Sequence, residues 1–84
     1  SAPDRGSIES MRLCLAAVCS AVADWTWIRM DYEHRALGGF DEAAWLRRLR
    51  SRTEDLQRGL GVLLEELARR EQRLARDPET WGQR

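Results

Sequence analysis

Apolar residues recur in alternating steps of three and four along two long stretches of this chain, and only an α-helix gathers such positions on one side. The first stretch runs Ile8, Met11, Leu15, Val18, Val22, Trp25, then Arg29 and Tyr32. The second runs Leu46, Leu49, Thr53, Leu56, Leu60, Leu63, Leu67, Arg70 and Leu74. Between them stands Gly38-Gly39-Phe40-Asp41. A Gly pair admits the left-handed conformation that ends a helix, and Asp caps the N-terminus of the next. The pattern predicts an all-α fold, an antiparallel hairpin of two long helices.

The boundaries follow from local chemistry. Residues 1–6, with Pro3 and Gly6, read as a disordered lead-in. Ser7 is the expected N-cap of helix one, which then runs over about 7–37, roughly 45 Å at the standard rise. The turn occupies 38–40. Asp41 caps helix two, over about 41–76, with Phe40 placed to staple Trp45. Asp77-Pro78 ends it, because Pro disfavours helix in the residue before it. Residues 77–84 form a tail carrying Trp81. Gly59 and Gly61 flank Leu60 inside helix two, where they either admit another backbone or mark a bend.

One segment makes the hairpin insufficient by itself. From Leu13 to Ala23 only Ser20 is polar, and a helix apolar on all sides must be covered on all sides. A single neighbouring helix leaves part of it bare. The expectation is therefore a four-helix bundle completed by dimerisation, or a helical protein partner. The residues expected at that interface are Leu13, Leu15, Val18, Cys19, Val22, Trp25, Trp27, Trp45, Leu56, Leu60, Leu63 and Leu67. Trp25, Trp27 and Trp45 are expected to cluster near the turn, since Trp concentrates packing and binding energy. The polar seam positions Thr53 and Arg70 would fix register.

The same segment also imitates a secretory signal, with Met11-Arg12 ahead of an apolar run ending Ala21-Val22-Ala23. Ten residues precede Met11, and only one positive charge, Arg12, sits in the n-region next to the run. Both argue against export, and the run reads as too short to span a bilayer. Cys14 and Cys19 lie five apart, about 140° around a helix, so their side chains diverge and no internal disulfide is expected. They read as buried small hydrophobes in a reducing, intracellular compartment.

The 84 residues carry 14 basic and 14 acidic side chains, so no overall basic field attracts phosphate. Every basic residue is Arg, a bias that a GC-rich gene explains as well as any mechanism. The cluster Arg47, Arg48, Arg50 and Arg52 is the one candidate nucleic-acid contact, set against a solvated helix face with acids close by. Elsewhere on that face, Glu65–Arg69 and Glu66–Arg70 have the spacing of intrahelical ion pairs.

The string His34-Arg35-Ala36-Leu37-Gly38-Gly39 resembles the His-x-x-Lys-Gly phosphoacceptor motif of histidine phosphotransfer domains. The resemblance covers about six residues and implies His34 as phosphoacceptor and a response regulator as partner. It departs at Leu37, where the family has the Lys that helps hold the phosphoryl group. The family's helix also continues where this one meets a Gly pair. A surface His near a helix C-terminus, favoured there by the dipole, accounts for His34 without phosphotransfer. Asp31 and Glu33 beside it do not make a di-iron pattern, which needs Glu-x-x-His from two helices. No cofactor, metal or catalytic arrangement is expected. The chain reads as a non-catalytic oligomerisation or protein–protein interaction module, such as a scaffold, adaptor or small chaperone.

Overall fold

The computed structural model describes residues 3–35 and 38–76. Two helices, α1 (Arg5–Arg35) and α2 (Glu42–Ala75), pack against each other as a hairpin measuring 61 × 22 × 15 Å. No strand occurs among the described residues. Ala36 and Leu37, expected at the end of helix one, and residues 77–84, Trp81 included, lie outside them.

The cap of α1 is Asp4, not Ser7. The Asp4 side chain accepts a hydrogen bond from the Ser7 N–H at 2.8 Å, and its carbonyl accepts from Ile8 at 3.0 Å. Both residues are capping types, but the carboxylate also answers the positive end of the helix dipole. Arg5 and Gly6 therefore belong to the helix, and the lead-in expected to reach Gly6 is shorter. At the other end of the hairpin Gly39 takes a φ of 80°, the left-handed region that costs a Gly nothing. Asp41 then caps α2 by accepting from the Ala44 N–H at 3.1 Å. Phe40 and Trp45 meet with ring centroids 5.8 Å apart, as a staple across the cap.

Four contacts fix the register. The Arg70 guanidinium donates to the Ser7 carbonyl, Gly59 faces the Val18 side chain, Trp25 Nε1 donates to Thr53 Oγ1 at 3.0 Å, and Arg48 pairs with Asp31 at 3.4 Å. Each step up α1 is matched by a step down α2. Thr53 and Arg70, the polar seam positions, both bridge the helices.

The interhelical contact does not follow the middle of the apolar seam. On α1 the half-buried residues include the column Met11, Val18, Trp25 and the next column, Cys14, Ala21, with the buried Ile28. On α2 they include Leu49, Leu56, Leu63, Arg70 and the next column, Gly59, the buried Glu66 and Arg73, together with Trp45, Asp55 and Leu74. Each helix is thus rotated by about one column, roughly 60°, off its seam. The bend or close approach expected at the two glycines is not observed: α2 runs unbroken, a Cβ on Gly59 would meet only the Val18 side chain at 3.6 Å, and one on Gly61 would meet open space.

Candidate functional site

The rotation leaves a column of each seam outside the contact: Ile8, Leu15 and Val22 on α1, and Leu46, Thr53, Leu60 and Leu67 on α2. The six apolar members are between 38% and 50% exposed. Going around either helix, the order is the same: exposed column, then the two contacting columns. In an antiparallel pair, equal angular order places the two exposed columns on one face of the hairpin. The opposite face confirms the geometry, because Cys14 and Ala17 of α1 share a groove of about 320 Å³ there with Asp55, Arg58, Gly59 and Val62. On the apolar face, the exposed Cys19 and Leu64 (66% exposed) flank the two columns.

The face is not uniform along its length. Most of its aliphatic surface lies between Ile8 and Val22 on α1 and between Leu60 and Leu67 on α2, the half remote from the turn. Toward the turn it carries Thr26, Arg29, Glu33 and Thr53 with Leu46. The exposed aliphatic side chains together present on the order of 600 Å², the upper end of the largest patch on an ordinary monomer.

Of the residues expected at an interface, Val18, Trp25, Trp45, Leu56 and Leu63 are half-buried within the hairpin, whereas Leu15, Cys19, Val22, Leu60 and Leu67 are exposed on this face. Leu13 and Trp27, at 64% and 68%, are more exposed still but point away from it. The three Trp residues do not gather. Trp45 stacks on Tyr32 (4.7 Å between centroids) and meets Phe40, while its Nε1 donates to the Ile28 carbonyl at 2.7 Å. Ile28, at 4% exposed, is the one buried apolar residue among those described. Cys19 is exposed rather than buried, and Cys14 and Cys19 are both free thiols. Sequence reading missed Leu64, which lies off the seam, and the part of Tyr32 in the Phe40–Trp45 cluster.

A polar clamp closes the end remote from the turn. The buried Glu66 (7% exposed) accepts from Arg69 and, at 3.2 Å, from Arg70, while Arg73 approaches Ser7 Oγ at 3.4 Å. The hydrogen bond from Arg69 holds the Glu66 carboxyl below its usual range, against the opposing effect of burial and with help from Arg70. Arg69 therefore pairs with Glu66, not with the expected Glu65.

The basic cluster is largely neutralised. Arg48 meets Asp31, Arg50 meets Glu54 at 3.2 Å and Arg52 meets Asp55 at 3.5 Å; Arg47 lies exposed beside them. His34 is exposed in the last turn of α1, and with Asp31, Trp45 and Arg48 it lines a cleft of about 460 Å³ at the hairpin turn. Leu37, the departure from the phosphoacceptor motif, lies outside the described residues. Among the described residues, no three His, Cys, Asp or Glu side chains converge as a metal site would require.

α1, over Arg5–His34, is long and apolar enough by length and composition to cross a membrane, although the Leu13–Ala23 run within it is not. The same helix packs against α2, which carries charged side chains from Arg47 to Arg73. Compared with known proteins, the chain matches no family, and no curated protein or solved structure is significantly similar to it.

Proposed function

We propose that this hairpin is a non-catalytic interaction module, a scaffold, adaptor or small chaperone of an intracellular compartment, working through helix packing of the coiled-coil kind. The observation that carries the reading is the single face on which α1 and α2 both leave seam aliphatics half exposed. Water-exposed Leu and Ile in register along two helices gain about 25 cal/mol per Å² when covered, and coverage needs another helical surface. Three of the four clustered arginines already hold carboxylates, so no observation favours the nucleic-acid alternative.

The test is whether the face binds apolar groups. An environment-sensitive dye such as ANS, titrated into nanomolar protein, is expected to brighten with the native chain. The Leu15→Glu and Leu60→Glu variants should abolish the signal, and Leu13→Glu should leave it intact. Equal dye binding by all three variants would remove the face from consideration.

A further inference from the structure

Resting on that reading, we infer that the occupant of the apolar face is a second copy of this chain, stacked face to face with both turns at the same end, so that α1 of each copy lies on α2 of the other. Three observations point there.

The first is self-complementarity. Both helices expose the same seam column, so a copy turned about a twofold axis parallel to the helices sets the α1 column of one onto the α2 column of the other. The levels fixed by Ser7–Arg70, Val18–Gly59 and Trp25–Thr53 then bring Ile8 over Leu67 of the second copy, and Leu15 over its Leu60 and Leu64. Aliphatic meets aliphatic at these two levels, Val22 falls opposite Thr53 and Gln57, and the more polar halves meet each other. Leu46 stands level with Glu33 of the second copy, with the aliphatic stem of Arg29 one turn away. Reversing one hairpin over its full length would instead lay Ile8 against Arg29 and Glu33. Sliding the reversed copies to avoid this leaves both turns overhanging and Leu46 bare.

The second is area. Two faces of on the order of 600 Å² of exposed aliphatic surface each bring the buried total to about 1,200 Å² before any rim is counted, the lower bound of a specific interface. The third is charge. Arg5 of one copy stands level with Glu71 of the other at the end remote from the turn, an opposite-charge pair across the interface.

The experiment is light scattering on the full chain over a hundredfold range of concentration, combined with cross-linking. The expected mass is twice 9.7 kDa, with Leu15→Glu and Leu60→Glu weakening association at least tenfold and Leu13→Glu changing nothing. Circular dichroism checks that each variant keeps its helicity. Orientation is read on near-native chains: Cys14→Ser leaves Cys19 as the sole thiol, and adding Gln57→Cys places a second thiol at the level of Cys19 on the other helix. A short bis-maleimide is expected to yield covalent dimers from the double variant and little from Cys14→Ser alone. Efficient cross-linking through Cys19 alone would overturn the orientation in favour of a reversed copy. A monomer at every concentration would overturn self-association. If the monomer's face still binds the dye, the interaction module stands with a different occupant; if it does not, both readings fall.

Discussion

The two halves of the hairpin solve the same problem differently. Near the turn, Ile28 is buried, Trp45 closes over it with ring contacts to Tyr32 and Phe40 and a hydrogen bond to its carbonyl, and Trp25 reaches Thr53. Large side chains with polar tips bury Ile28 there, although Trp27, Leu46 and Tyr32 stay exposed. Toward the other end the contact is made by Val18, Gly59, Cys14 and Leu63, which are too small or too few to cover the seam. Ile8, Leu15, Val22, Leu60, Leu64 and Leu67 stay half exposed, beyond which the Glu66–Arg70–Ser7 clamp supplies specificity rather than burial. A two-helix fold holds its own where it spends aromatics, and becomes an interface where it does not.

That contrast can be broken by substitution. Ile28→Ala should destabilise the folded chain by about 2–4 kcal/mol, because it removes the one buried apolar side chain among the described residues. Leu64→Ala, at an exposed position, should cost under about 1 kcal/mol in the monomer. Urea denaturation at a concentration below association compares them, and equal effects would erase the distinction between the halves. Trp45→Phe keeps the ring packing but loses the N–H to the Ile28 carbonyl, an expected loss of about 1 kcal/mol by the same assay. Gly61→Ala should raise stability by up to about 1 kcal/mol, since the new methyl meets open space and the helix loses a flexible residue. A destabilised Gly61→Ala dimer with a stabilised monomer would put α2's outer side in the interface and redraw its edge.

The smallest effect sharpens the remote end. With the Glu66 carboxyl held below its ordinary value of 4.5 by the Arg69 hydrogen bond, its folded pKa is depressed. Its contribution is therefore full above the unfolded value and disappears as pH falls through the folded one. Melting temperature should drop over that acidic interval, and Glu66→Gln should flatten the slope there. An unchanged slope would mean that the clamp is inert.

Much of this architecture was legible in the residues. The three-and-four spacing gave both helices, Gly39 and Asp41 marked the turn, and Thr53 and Arg70 were identified as register-setting because a polar side chain on a seam must find a partner. The rotation of each helix off its seam was not legible. Periodicity locates an apolar stripe but not which part of it a particular neighbour covers; that depends on the bulk of Trp45 and Ile28 and on the smallness of Gly59 and Cys14. The capping residue was misassigned because Asp4 and Ser7 satisfy the same local rule three residues apart. Trp27 was expected in a cluster, yet two residues along a helix from Trp25 it turns about 200° and faces water.

The 61 Å length against a 15 Å thickness has a hydrodynamic consequence. A rod of this axial ratio drags more solvent than a sphere of equal mass, so on gel filtration a lone hairpin elutes early, like a heavier compact protein. Stacking a second copy onto the thin dimension adds mass while barely lengthening the particle. Elution position will therefore separate the two states poorly, whereas rotational diffusion about the long axis, read by fluorescence anisotropy decay, will separate them well.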